Sequence, residues 1–190
     1  MKPLKPLDEA LADLLAQAQP LPSTETVTTF DADGRVLAQS CVSALQVPPQ
    51  DNSSMDGYAV RRADVAAAGV VLPVSQRIPA GSAGDSLLPG TAARIFTGAP
   101  VPAGADAILM QEDCEALAAA DGLGSVRINA VPPAGQWIRS AGEDITRGAV
   151  VLSAGTRLTP AELGLAASIG LHQLQVARRP RVALFSTGDE

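Results

Sequence analysis

The sequence predicts an α+β fold that is rich in β-structure, and three observations carry that expectation. Short β-branched or apolar runs recur between turn residues from position 24 to position 152. Glycine (17) and proline (15) are spread along the 190 residues as punctuation rather than pooled in one linker. Only two segments, 7–18 and 159–170, carry helical apolar spacing or helix-terminal signals.

Taken in order, Leu7, Ala10, Leu11, Leu14, Leu15 and Ala18 form one apolar stripe of a first helix over 7–18. Asp8 and Glu9 sit in its first turn, where they suit the dipole, and Pro20 and Pro22 end it. Residues 26–30 read as a strand, Asp33–Gly34 as a turn and 35–38 as a second strand. A proline-flanked loop follows over 47–60. Apolar runs at 70–74, 93–97, 107–111 and 125–128 suggest a small, mainly antiparallel β unit. The 116–120 segment reads equally as a helical turn or one arm of a hairpin. Residues 149–152 are a strand. Thr159, Pro160 and Glu162 then write a capping box, and Gly170 closes the second helix. A strand follows at 174–176, then the basic link 178–181, and 182–186 reads as an apolar strand opening an α/β unit.

Composition excludes several function classes. Hydrophobic residues make up 46% and charged residues 18%, which suits a globular chain. Aromatics are 3%, so a core of Ala, Val, Leu and Ile is expected and base-stacking platforms are not. With 14 basic against 20 acidic residues, the net charge of -6 offers no footprint for nucleic acid or an anionic membrane. One His argues against a His-based zinc site or a Ser-His-Asp triad. Cys41 and Cys114 lack metal spacing and read as reduced, packed side chains. No run approaches the ~20 apolar residues that span a bilayer, and no signal peptide is visible, so a cytoplasmic location is expected.

Four segments carry candidate chemistry. The 48–60 loop places Asp51, Asn52, Ser53, Ser54, Asp56 and Tyr58 within eight positions, with Gly57 allowing close approach of a ligand or of another backbone. In 96–106 a strand ends at Thr97–Gly98, where a hydroxyl and turn N–H groups suit an anion. Glu143 and Asp144 are adjacent acids, which extended backbone would point to opposite faces. Ser186–Glu190 lies where a strand end suits phosphorylated ligands, with Asp189 and Glu190 as hard oxygen donors for Mg²⁺.

Each segment is weak alone, but their order is specific. ProProGlnAspAsnSerSerMetAspGlyTyrAlaVal (48–60), IlePheThrGlyAlaProValPro (95–102), MetGlnGlu (110–112), GlyGluAsp (142–144) and the run 179–190 together resemble molybdopterin molybdenumtransferase, the family of bacterial MoeA and the gephyrin E domain. Ser54 stands where that family commonly has Ala.

The resemblance implies insertion of molybdate into adenylylated molybdopterin with release of AMP, dependence on a divalent cation such as Mg²⁺, and a homodimer. It assigns 23–45 and 145–177 to a linking domain and 46–144 to a β-rich domain. Residues 1–22 and 178–190 fall to an α/β domain, the latter as its first strand. Asp56, Thr97, Asp144 and Glu190 fall on catalytic positions, with Glu190 also a metal ligand; Asn52, Ser53, Gly98 and Asp189 fall on substrate-binding ones. The chain stops inside its last motif, so the expectation is that it does not transfer molybdenum alone. The competing expectation is a non-catalytic binding or dimerisation module of the same family.

Overall fold

A computed structural model describes residues 5–19, 23–120, 122–186 and 188. Its elements in chain order are α1 (Leu7–Ala16), β1 (Thr24–Thr28), β2 (Cys41–Val42), β3 (Asn52–Ser53), β4 (Gly57–Val60), β5 (Val70–Ile78), β6 (Ala92–Ile95), β7 (Ala107–Met110), β8 (Cys114–Leu117), β9 (Ser125–Ile128), β10 (Ile138–Arg139), β11 (Val150–Leu152), α2 (Pro160–Ser168) and β12 (Gln173–Ala177). The result is β-rich with few helices. The chain divides into two compact units, 1–42 with 150–190, and 43–149.

The first unit is built on two small antiparallel pairs, β1 with β12 and β2 with β11. Its core gathers Ala32, Leu37, Cys41, Leu152, Leu158, Ala166, Leu174 and Val176. The expected capping box is present at α2: the Thr159 N–H donates to Glu162 Oε2 at 2.9 Å, and Pro160 occupies the first turn. Bonds from the Thr159 side chain and backbone hold the Glu162 carboxyl below its usual value. Gly170, at φ +80°, follows the helix as a left-handed cap. Arg35 is buried, and its guanidinium donates to Glu25 and to the Ala177 carbonyl.

Three local expectations need correction. Residues 35–38 form no strand, because their backbone is shared between two neighbours. Leu37 N–H donates to the Thr156 carbonyl, whereas Ala38 N–H donates to that of Gln175, both at 2.9 Å. Only the bridges Val36↔Arg157 and Leu37↔Val176 result. Residues 182–186 are exposed and irregular, not a strand; a strand is stable only against a partner, and none pairs with them among the described residues. The first helix ends at Ala16 rather than residue 18, and Leu7, Leu11, Leu14 and Leu15 all remain exposed.

The second unit is a six-stranded sheet ordered β7-β4-β6-β5-β9-β8. All its pairings are antiparallel except β5 with β6. The alternative at 116–120 resolves toward a hairpin, with β8 pairing β9 in register Cys114↔Ile128. Both faces of the sheet are packed. Tyr58, Val60, Leu72, Ala92, Leu109, Val126 and Ile128 lie in one cluster. Ala59, Ile78, Ala93, Ile95 and Ile108 lie in another. Alternate residues of β4 and β6 therefore feed opposite clusters, as a period of two requires.

The expected loop over 47–60 contains β3 and β4, and β4 is wholly buried in the sheet. The residue that permits this is Gly57. A Cβ there would stand 1.7 Å from the Leu109 carbonyl oxygen, so the close approach belongs to another strand rather than to a ligand. Gly57→Ala is therefore expected to cost about 3 kcal/mol or more. Gly98→Ala, at φ +79° with only the Ala80 Cβ near at 3.9 Å, should cost about 1 kcal/mol. Urea unfolding of both variants checks the order; a cheaper change at Gly57 would contradict it.

Candidate functional site

Three segments far apart in sequence meet on β3. On one side, Ser53 N–H donates to the Ala99 carbonyl at 2.9 Å and Gly98 N–H donates to the Ser53 carbonyl at 2.8 Å. Val101 N–H donates to the Asp51 carbonyl at 3.0 Å. On the other side β3 pairs with β10, placing Arg139 opposite Asn52 and Ile138 opposite Ser53. Ser54 N–H reaches the Trp137 carbonyl at 2.9 Å, and Asp51 Oδ1 accepts from Ala141 N–H at 2.8 Å. Trp137 itself is held at φ +56°, a left-handed conformation costing about 1–2 kcal/mol for a non-glycine residue.

Asp56 and Thr97 come into direct contact. Asp56 Oδ1 accepts from the Thr97 N–H at 2.8 Å and from its hydroxyl at 3.0 Å. The anion that the Thr97–Gly98 turn holds is thus the carboxylate of Asp56. The backbone bond from Thr97, then its side-chain bond and last the charge of Arg94, hold the Asp56 carboxyl below its ordinary value, against a smaller opposing effect of desolvation. Nothing among the described residues donates to Asp56 Oδ2. Gln111 N–H donates to the Asp56 carbonyl at 3.0 Å, which ties in the Met110–Glu112 segment.

Asp144 meets Arg139 instead, accepting from its Nη2 at 2.6 Å. Glu143 Oε1 stands 3.7 Å from Arg139 Nε. The two neighbouring acids therefore converge on one guanidinium, not on opposite faces, because 141–144 is a turn with Gly142 at φ +76° rather than extended backbone. Asp144, followed by Glu143, in turn raises the Arg139 value further above its usual range.

Asn52 and Ser53 differ in what they leave free. Asn52 Oδ1 is buried with no hydrogen-bond partner. Ser53 is buried, its hydroxyl donating to the Met55 carbonyl at 2.6 Å and accepting from the Met55 N–H at 3.3 Å. Its one donor is spent on a local turn, so it is not a free ligand group in this arrangement. Gly98 contributes backbone alone. Asp189 and Glu190 lie outside the described residues.

Sequence reasoning gave no role of its own to Arg139, Arg94 or Asp51. Arg94 donates to the Gly57 carbonyl at 2.9 Å and to Gln111 Oε1 at 2.7 Å. A lone charge within an otherwise apolar strand, two residues before Phe96, is the signal that could have found it. Among the described residues, no group of three or more His, Cys, Asp and Glu side chains is arranged to hold a metal ion. Asp56 Oδ2, which accepts no bond from the described residues, is a hard oxygen of the type that Mg²⁺ takes alongside phosphates, whereas Asn52 Oδ1 is buried. Cys114 is a poor nucleophile: burial, then the charge of Asp113, pushes its thiol to about 11.

A model of the MoeA N-terminal region (domain I and II) matches residues 5–170. The chain belongs to this family. It is 43% identical over 195 residues to molybdopterin molybdenumtransferase 2 of Mycobacterium tuberculosis, covering 100% of this chain and 46% of that protein. It is 39% identical over 186 residues to the molybdopterin molybdenumtransferase of Haemophilus influenzae, covering 97% of this chain and 45% of that protein. The crystal structure of the molybdopterin biosynthesis moeA protein from Pyrococcus horikoshii OT3 superposes with a TM-score of 0.85 at 33% identity, over 94% of this chain and 47% of that one. The chain thus spans about half the length of the curated relatives it matches.

The Asp56–Thr97 bond carries a pH signature. A carboxyl held below its ordinary value of 3.8 contributes its stabilisation above that value and loses it as pH falls through the folded value. The gap in urea midpoint between the parent chain and Asp56→Asn should be constant from about pH 7 to about pH 5 and close below the ordinary aspartate value. A gap that widens toward acid would contradict the bond.

Proposed function

We propose that this chain supplies the MoeA-type half of a molybdopterin molybdenumtransferase site, acting in molybdenum cofactor biosynthesis. The reaction is insertion of molybdate into adenylylated molybdopterin with release of AMP. The observation that carries the reading is the Asp56 carboxylate, fixed through one oxygen by Thr97 while its other oxygen stays free.

That geometry supports the following roles. Thr97 is a positioning residue: both of its donors are already committed to Asp56. Asp56 is ionised at neutral pH, as an ordinary carboxyl is, and the Thr97 bonds lower its proton affinity further. It therefore suits an oxygen ligand or an acceptor orienting water better than a general base, which needs a value near neutrality. Asp144 bonds Arg139, which stands opposite Asn52 on the paired strands β10 and β3, and the guanidinium is the group there suited to an anionic substrate. Mg²⁺ would be held by Asp56 together with substrate oxygens, and would neutralise phosphoryl charge there.

The reading extends to architecture: linking segments 23–45 and 145–177, a β-rich domain 46–144, and the pieces 1–22 and 178–190 of an α/β domain. It includes a cytoplasmic homodimer; among the described residues no helix is long and apolar enough to cross a membrane. It also includes inactivity of the 190 residues alone, since the relatives are about twice as long.

The test grafts these residues in place of the matching segment of one relative and follows AMP release from adenylylated molybdopterin supplied with molybdate. The graft should release AMP and the 190 residues alone should not. Asp56→Ala in the graft should lower the rate at least about 100-fold. Unchanged release with Asp56→Ala and with Asp144→Ala would overturn the assignment.

A further inference from the structure

Two charges, Arg77 and Arg94, lie against Phe96, the residue before Thr97, and the site described above does not use both. Arg77 on β5 stands directly opposite Arg94 on β6, which in turn faces Tyr58 on β4. Like charges directly opposed across a strand pair are destabilising. The register makes the placement specific. Val74 pairs with Ala92, the ladder shifts at Ser75, and pairing resumes with Gln76 opposite Ala93. Without that extra residue, neutral Gln76 would stand opposite Arg94. A bulge that re-aims a side chain has put a guanidinium there instead.

Both guanidinium carbons lie 4.5 Å from the centroid of the same Phe96 ring, and Arg94 also lies 5.2 Å from the Tyr58 centroid. Arg94 is oriented by the Gly57 carbonyl and Gln111 Oε1, both neutral acceptors. Among the described residues, neither guanidinium forms an ion pair with a carboxylate, in a chain with 20 acidic residues. Asp56 senses the charge of Arg94 only weakly, and its bonded oxygen is already committed to Thr97. Arg77 is exposed and makes no hydrogen bond to protein among the described residues, so its donors face solvent.

We propose that Arg77 and Arg94, held against Phe96, form a binding position for a dianionic tetrahedral oxyanion, of the kind a phosphate monoester or an inorganic phosphate-like ion presents. Two planar forks satisfy such an ion in the manner that guanidinium groups favour, and its charge cancels the repulsion between them. The position goes beyond the transferase reading, and it stands or falls by binding alone.

The test is a titration of the 190-residue chain with inorganic phosphate, molybdate and AMP, each against chloride at equal ionic strength. Binding is read from the Nε–Hε signals of the arginine side chains. The signals of Arg77 and Arg94 should move together and saturate with one dissociation constant. Arg77→Gln should weaken that constant at least about tenfold, and Arg77→Lys less; both change an exposed side chain and leave the Arg94 bonds in place. Tighter binding of AMP marks a phosphoester ligand, and tighter binding of phosphate or molybdate marks a free oxyanion; either supports the position. Unmoved Arg77 signals, or an affinity unchanged in Arg77→Gln, would overturn it, whatever the transfer assay shows.

Discussion

Residues 51–54 spend their backbone on two neighbours at once, and the rest of the site depends on that double commitment. Their backbone hydrogen-bonds toward 98–101 on one side and toward 137–139 on the other, and the Asp51 side chain extends the second joint to Ala141. Three stretches separated by some forty residues each are thereby fixed in one register. Side chains alone could not do this. The ion pairs at Arg139 are exposed, and such pairs contribute about 0–1 kcal/mol. Backbone bonds between short segments are individually modest too, but here each is shared with a neighbour already anchored in the six-stranded sheet.

Strain and charge are then placed against this frame. Trp137 is held left-handed where its carbonyl receives Ser54 N–H. Gly57 brings β4 so close to β7 that no side chain fits between them, which delivers Asp56 to the start of a buried strand and within reach of Thr97. Positive charge enters through Arg94, oriented by the Gly57 carbonyl and Gln111, and through Arg139, oriented by Asp144 and Glu143. Negative charge enters through Asp56, ionised and half-engaged. The site is thus a set of pre-oriented polar groups rather than an enclosed pocket.

Much of this was legible in the sequence, and the failures share a cause. The second helix could be read because its signals are local: Thr159, Pro160 and Glu162 act within one turn, and Gly170 ends it. The runs at 70–74, 93–97, 107–111 and 125–128 could be read as strands because turns bound them, although β5 continues to Ile78 through the polar residues 75–77. Residues 35–38 and 182–186 carry the same composition, yet pairing is a property of the neighbour and not of the run. The candidate residues Asp56 and Thr97 could be named from their motifs, but not the bond between them. Sequence suggested that Thr97 would donate to an external anion; the fold gives both donors to Asp56. Likewise Arg77 gains meaning only from a one-residue shift in the β5–β6 ladder, which no local pattern announces.

Amide hydrogen exchange tests the shared frame most directly. The N–H groups of Ser53, Ser54, Gly98 and Ala141 each donate across one of the joints between the three stretches. They should be protected together, within about tenfold of one another, and should lose protection as one unit when denaturant is raised. Exchange of Gly98 or Ala141 at open-loop rates while Ser53 and Ser54 stay protected would show that the stretches are held separately, and would contradict the claim that β3 organises the site.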